Sequence, residues 1–255
     1  MRGYHTMITF NHVTVSYPGR GTVLQDLSFS IKEKEAVGLI GANGAGKSTL
    51  MKAALGLIDA EGEILIGGLK AEKKNLKEIR SRLGYVLQDS DNQMFMPTVL
   101  EDMIFGPMNY GSTRQEAEKR ALETLSSLDI DFLAERQNHR ISGGEKRMAA
   151  IATILTMDPE ALLMDEPSAA LDPKNRRRII NIVNGLDKTM LIASHDLDFI
   201  LETCDRVILL SEGRIAAEGP AYEILSSKTL LEENSLELPF CLAGIPDRIK
   251  NAFPS

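Results

Sequence analysis

The sequence holds only 2 cysteines in 255 residues, Cys204 and Cys241, far apart along the chain. That excludes a disulfide scaffold and a cysteine-rich zinc site, and it fits a reducing compartment. The 2 cysteines and 4 histidines fall at no spacing suited to metal ligation, so no transition-metal site is expected in this chain. Basic residues are the minority: 29 Lys and Arg stand against 36 Asp and Glu, a formal charge of −7. A chain of this sign lacks the electrostatic footprint of a dedicated nucleic-acid binder, and no nucleic acid is expected among its partners. The short basic runs 70–77 and 176–178 read as solvated faces. Long apolar runs are missing too. The longest, 148–157, is interrupted by Thr153 and Thr156 and suits a buried helix, well short of the ~18 residues of a membrane span. Residues 1–10 carry no apolar core of signal-peptide length. The expectation is a cytoplasmic protein whose membrane role would need a separate membrane-embedded partner. No internal repeat or low-complexity segment is present.

What is there is enough for a proper core: 43% hydrophobic and 25% charged residues, close to soluble globular averages. Residues 8–17 are rich in β-branched side chains and end at Pro18-Gly19, a strand followed by a turn. Residues 27–31 alternate, as a second strand would. Residues 36–40 form a short continuous apolar run, the mark of a buried strand. A helix is expected over 47–55 and a short strand over 62–67. From 96 to 157 the pattern turns helical, with Ala117, Ala121, Leu122 and Leu125 at helical spacing within 114–128. Further buried strands are expected at 161–164, 188–193 and 206–210, and a helical stretch at 221–227. Alternating strands and helices argue for an α/β fold with a mainly parallel central sheet.

Three motifs carry chemistry. Gly41, Gly46, Lys47 and Ser48 fit G-x-x-x-x-G-K-[ST], directly after a predicted strand and opening a helix. Glycine-rich backbone there aims several N–H groups at one anion, and the helix N-terminus adds its positive dipole end. Gly41, Asn43, Gly44 and Gly46 form the cradle. Lys47 can reach the outer phosphates, the Ser48 hydroxyl can ligate Mg2+, and Thr49 can touch the inner phosphate region. A chance match in a chain of this length is on the order of one in a hundred. Second, Asp165 and Glu166 end an apolar strand, where open α/β sheets bind ligands. Asp165 would hold Mg2+ and Glu166 would polarise an attacking water. The alternative is an acidic strand-to-loop turn, which the phosphate loop makes hard to sustain. Third, Ser142 and Glu145 have capping-box spacing before an apolar helix over 146–157. Gly143 and Gly144 in its first turn are unexplained by capping, since each lowers helix stability. Bare backbone there lets an anion approach, so a nucleotide sandwiched between two chains is suggested.

These motifs, in this order, resemble the ATP-binding subunit of an ABC transporter, over about residues 7–225. The resemblance implies a P-loop NTPase with a RecA-like core sheet, an N-terminal antiparallel β subdomain and an inserted helical subdomain at about 96–157, with 226–255 as a C-terminal extension. It implies ATP and Mg2+ as cofactors. Tyr17 resembles the aromatic residue that stacks on adenine, although a strand-end core residue would look the same. Gln88 resembles the Q-loop glutamine that senses Mg2+ and the membrane partner, against a plain surface amide. Asp172, closing Ser168-Ala-Ala-Leu-Asp172, resembles the D-loop aspartate. His195 resembles the switch histidine on the outermost phosphate, against an ordinary loop histidine. The expected catalytic set is thus Lys47, Gln88, Glu166 and His195. The resemblance also implies two ATPase chains, homodimer or heterodimer, closing head to tail on a membrane's cytoplasmic face.

The segment after Gln88 narrows the subgroup. Gln93, Pro97, Glu101, Asp102 and Phe105-Gly-Pro107 look like cobalt/nickel importers and energy-coupling factor (ECF) vitamin importers, although Ser90 stands where proline is typical. The closing Leu236-Glu-Leu-Pro239-Phe240 resembles the tail of the same group. That implies a transmembrane coupling subunit and an integral substrate-binding subunit, with cobalt or nickel as first cargo and a vitamin as second. A soluble ABC ATPase of iron–sulfur cluster assembly is the competing class. Met94, Phe95 and Met96 could line an apolar groove for a membrane subunit or be ordinary core.

Overall fold

The computed structural model describes residues 5–19 and 21–244. The last part of the expected C-terminal extension, 245–255, lies outside the described residues. Strands β1 (Thr6–Tyr17) and β2 (Gly21–Lys32) pair as a long antiparallel hairpin. β3 (Ala36–Ile40) leads into helix α1 (Lys47–Ala54), then β4 (Glu61–Ile66), β5 (Leu69–Lys70), α2 (Leu76–Arg82) and β6 (Leu83–Val86). Three helices follow: α3 (Val99–Asn109), α4 (Arg114–Ser127) and α5 (Gly143–Leu155). The chain then alternates through β7 (Ala161–Asp165), α6 (Pro173–Gly185), β8 (Thr189–Ala193), α7 (Leu197–Thr203) and β9 (Arg206–Ser211). It closes with β10 (Arg214–Pro220), α8 (Ala221–Ser226), α9 (Lys228–Glu233) and α10 (Phe240–Ala243).

Two sheets result. One is antiparallel, in the order β2-β1-β4-β5. The other has six strands, β10-β9-β3-β8-β7-β6, parallel except for the β9–β10 hairpin at its edge. Its central strands read as unbroken apolar runs because both faces are covered. Val37 and Leu39 of β3 point into the core shared with the antiparallel sheet and α1, whereas Ala36 and Ile40 join the core shared with α5 and α6. The same alternation sorts Leu163 from Leu162 and Met164 in β7, and Ile208 from Val207 and Leu209 in β9. Each fully buried aliphatic side chain contributes about 1.5–3 kcal/mol. The hairpin β1–β2 alternates more cleanly because only one face is covered, with Phe10 stacked on Phe29 at 4.6 Å.

The inserted helices start alike. Thr98 caps α3 with Glu101, Thr113 caps α4 with Glu116, and Ser142 caps α5 with Glu145, each a reciprocal capping box. The box moves the start of α5 to Gly143, three residues before the expected 146, because Ser142 takes the N-cap. In α4, Ala117, Ala121 and Leu125 are buried, but Leu122 is 49% exposed and lies off the apolar stripe. The trio 94–96 divides: Met94 is core, Met96 is half-buried and Phe95 is 63% exposed. The run 176–178 is not simply a solvated face, since Arg176 pairs with Asp196 and Glu202 and Arg177 with Glu202. At the C-terminal end Leu231 is fully buried, and Leu236 and Leu238 pack on the same core as α5 and α6. No helix among the described residues is long and apolar enough to cross a membrane.

Candidate active site

The register of the parallel sheet assembles the site. Leu39 of β3 pairs with Ala193 of β8, and Ala193 pairs with Asp165 of β7. The residues that follow each strand therefore emerge side by side: the glycine loop after β3, Glu166 after β7, Ser194 and His195 after β8. They surround a cavity of about 900 Å³. Gly41, Asn43, Gly44, Gly46, Lys47, Ser48, Thr49, Gln88, Asp165, Glu166 and His195 all line it.

The loop geometry demands glycine at two points. Gly41 has φ +149°, and a Cβ there would lie 2.3 Å from the Leu210 carbonyl oxygen. Gly46 has φ +109°, and a Cβ would lie 2.3 Å from Leu24 Cδ2. Gly46 is also the N-cap of α1 and supplies no side-chain cap, so the first N–H groups of the helix face the cavity without a partner side chain. Lys47 is 8% exposed and bends back over the loop, its Nζ donating to the Gly41 carbonyl at 2.7 Å and the Ala42 carbonyl at 3.3 Å. Burial lowers its affinity for the proton, and the carboxylates of Glu166 and Asp165 work against that shift. A cation so placed completes an anion cradle.

The acidic side is equally ordered. Asp165 is 4% exposed and accepts from the Tyr85 hydroxyl at 3.2 Å. Burial first, then the Asp165 charge, raises the Tyr85 phenol above its ordinary value, so it stays a donor. Glu166 has φ +50°, a left-handed conformation uncommon outside glycine. Its N–H donates to the Ala193 carbonyl at 2.8 Å. Its Oε2 accepts from Ser194 Oγ at 3.1 Å and from the His195 N–H at 3.2 Å, and lies 2.8 Å from His195 Nδ1. The carboxylate is thus aimed by the turn after β8. Ser48, Gln88 and Asp165 bring a hydroxyl, an amide oxygen and a carboxylate to one cavity. That hard-oxygen set suits Mg2+, which takes few protein ligands and keeps waters and phosphate oxygens.

Five residues singled out from sequence lie elsewhere. Tyr17 does not line the cavity, but its hydroxyl sits 3.4 Å from Thr49 Oγ1 at the first turn of α1. Ser142 and Gly143 are exposed at the start of α5. Gly144 is buried, and a Cβ there would lie 2.3 Å from Asn175 Nδ2, so its size is set by the approach of α6. Apart from its neighbours and its own helix backbone, nothing among the described residues lies within 4 Å of a Cβ on Gly143. Asp172 caps α6 through the Asn175 N–H at 2.9 Å. Conversely, Thr22, Val23, Glu212, Gly213 and Ser235 line the cavity without having been singled out, and Leu236, singled out only as part of the closing motif, lines it too. Only Glu212-Gly213 had a local signal, a tight turn between β9 and β10.

A family profile described as ABC transporter matches residues 24–169, more than half of the chain and spanning the phosphate loop, the α5 start and the Asp165-Glu166 pair. The chain belongs to the ABC transporter ATP-binding family. It is accordingly an ABC ATPase. An energy-coupling factor transporter ATP-binding protein EcfA from Carboxydothermus hydrogenoformans is 38% identical over 96% of this chain and 95% of that protein. A cobalt import ATP-binding protein CbiO from Rhodobacter capsulatus is 39% identical over 90% of this chain and 84% of that one. In structure, CbiO1 from Clostridium perfringens, described as part of the ABC transporter complex CbiONQ, superposes with a TM-score of 0.80 at 31% identity. The superposition covers 89% of this ABC ATPase and 94% of that chain.

Proposed function

We propose that this ABC ATPase powers a membrane importer whose first cargo is cobalt or nickel. The observation that carries coupling to a membrane subunit is the exposed aromatic pair beside the Gln88 segment. Phe95 and Phe105, 63% and 42% exposed, meet edge to face at 5.0 Å, with Met108 and Tyr110 exposed on the same helix end. An apolar platform of this kind fits a helix from another protein. It speaks against a purely soluble iron–sulfur scaffold role. The cargo reading is supported by the likeness to the Rhodobacter cobalt import protein and by the Gln93, Pro97 and Phe105-Gly-Pro107 pattern. The likeness to EcfA favours a second reading, an ECF-type vitamin importer, through the same platform.

The chain's residues divide the chemistry. The glycine loop and Lys47 hold the phosphates of ATP, with Thr49 and Tyr17 toward the nucleoside side. Bound Mg2+, held through Ser48, Asp165 and Gln88, would neutralise charge on the outer phosphates. Glu166 accepts hydrogen bonding from the attacking water, and His195 with Ser194 fixes the carboxylate that does so. The exposed start of α5 at Ser142 and Gly143 and the D-loop aspartate Asp172 lie outside the cavity. They serve the ATP of a second chain, homodimer or heterodimer, closed head to tail on the cytoplasmic face. The domain runs over 7–225 with 226–255 as an extension.

Isolation from gently solubilised native membranes tests the reading. Co-purification of a transmembrane subunit together with a small integral substrate-binding subunit is expected, and metal or vitamin uptake by that complex separates the two cargoes. Recovery with soluble scaffold proteins alone would overturn the transport assignment while leaving the ATPase intact.

A further inference from the structure

β6 closes one edge of the parallel sheet, and Tyr85 puts a phenol there where β7 and β8 carry Leu163 and Leu191 in register. Successive side chains of a strand alternate in face, so Leu163 and Asp165 of β7 share one face. The Tyr85 ring lies on that same face, packed on the core shared with the antiparallel sheet and α1. Asp165 is one diagonal step further along β7, a span that a long aromatic side chain covers. The phenol makes that step and donates to Asp165 Oδ2 at 3.2 Å.

The other carboxylate oxygen, Oδ1, has no such donor among the described residues. It is not sealed in the core either, since the one buried side-chain polar atom without a partner among the described residues is Asn138 Oδ1. Asp165 thus keeps one oxygen on the phenol and turns the other to the cavity it lines. That division bears on the metal suited to Ser48, Gln88 and Asp165. Mg2+ is small, demands near-octahedral geometry and uses few protein oxygens, whereas Ca2+ is larger, takes six to eight oxygens and accepts carboxylates in bidentate fashion. A carboxylate with one oxygen occupied offers a single point of attachment, which satisfies Mg2+ and serves Ca2+ poorly. A donor behind a ligand also fixes its orientation.

We propose that Tyr85 is a positioning residue that occupies one oxygen of Asp165 and so sets the ATP site for Mg2+ against Ca2+. The phenol does not line the cavity and acts only through Asp165. The inference rests on the ATP and Mg2+ reading of this site and on no choice of cargo.

Tyr85→Phe removes the hydroxyl and leaves the ring on the core. The full chain, in excess over a non-hydrolysable ATP analogue, is loaded with Mn2+, and the electron paramagnetic resonance of the bound Mn2+ is followed as Mg2+ or Ca2+ displaces it. Analogue affinity in EDTA and Mg2+-supported turnover of ATP are measured beside it. The parent should release Mn2+ to Mg2+ at lower concentration than to Ca2+. In Tyr85→Phe the ratio of the two midpoints should shift about tenfold toward Ca2+, the scale on which the outer partners of a metal ligand act. Analogue affinity in EDTA should stay within about twofold, and turnover should fall about tenfold. A midpoint ratio equal to the parent's overturns the proposal even if turnover falls, because a packing defect weakens both cations alike. So does a parent that prefers Ca2+. A parent that binds the analogue but no Mn2+ overturns the Mg2+ reading and the proposal with it. If Tyr85→Phe does not fold, Tyr85→Leu decides by the same ratio.

Discussion

Two helices of this ATPase begin at glycine-bearing turns, and they begin in opposite ways. At α1 the N-cap is Gly46 in a left-handed conformation with no side-chain cap, and Lys47 leans over the loop. The helix end is left open to an anion from outside the chain, and the nearest side chain adds positive charge. At α5 the cap is internal. Ser142 and Glu145 satisfy one another, with the Ser142 N–H and hydroxyl both on Glu145 Oε2 at 2.8 Å. The dipole there already faces a carboxylate. The first end is left free to bind, whereas the second holds its own fold and has open space around Gly143. Binding strength should therefore reside at α1, and the α5 end should act on turnover.

The sharpest form of that division is at Glu166. Glu166→Gln should keep ATP affinity and the hydrogen bond from Ser194, yet lower kcat about a hundred- to ten-thousandfold, the range of a lost general base. Single-turnover hydrolysis beside equilibrium ATP binding reads both. Equal losses in both would remove Glu166 from water activation. Lys47→Ala works on the other quantity. Removing a cation that meets phosphate should weaken ATP binding by about 1.5–3 kcal/mol, roughly ten- to a hundredfold in Kd, by calorimetric titration. An unchanged Kd would break the claim that α1 carries the affinity.

How far this was readable from sequence follows the same line between local and distant partners. The phosphate loop, the buried strands and the acidic pair announce themselves within a few residues, because the constraint is local backbone or two-sided burial. The parallel register that sets Asp165 beside Ala193 and Leu39 then brings them together without further signal. Arg147, buried in α5, gave no hint, since the Leu87 and Gln88 carbonyls it donates to are about sixty residues away and are main-chain atoms of any residue type. Ser235 and Leu236 reach the cavity only because the tail packs back on the core. The division of 94–96 into core and exposed positions depends on Asp102, whose buried carboxylate accepts the Phe95 and Met96 N–H groups at 3.1 Å. Gly144 shows the converse: its signal was present, and the structure adds a packing cause that the sequence did not show, the approach of Asn175.

That contrast gives the next test. Gly144→Ala should destabilise the fold by about 1–3 kcal/mol, because Asn175 must move. Gly143→Ala meets nothing, and alanine is the better helix former by up to about 1 kcal/mol, so its melting temperature should hold or rise. If the open backbone at Gly143 receives a nucleotide from a second chain, kcat should nevertheless fall, while the ATP Kd of the isolated chain stays constant. A Gly143→Ala protein with full turnover would leave the α5 end with no part in catalysis.

The smallest effect expected is at the cap. Ser142→Ala removes one hydroxyl and should destabilise by about 1 kcal/mol, a typical N-cap loss. Its pH dependence is informative. The Ser142 N–H, then its hydroxyl, hold the Glu145 carboxyl below the usual carboxylate value. A group depressed in the folded state contributes stability that is complete above its unfolded value and is lost as pH falls through its folded value. The gap in melting temperature between Ser142→Ala and the parent should thus be widest near neutrality and narrow in acid. It should not close, because Ser142 Oγ still accepts the Glu145 N–H whatever the charge on the carboxyl. A gap constant through the acid limb would mean that the Ser142 hydroxyl adds nothing to the charged Glu145, which would then be held by the Ser142 N–H alone.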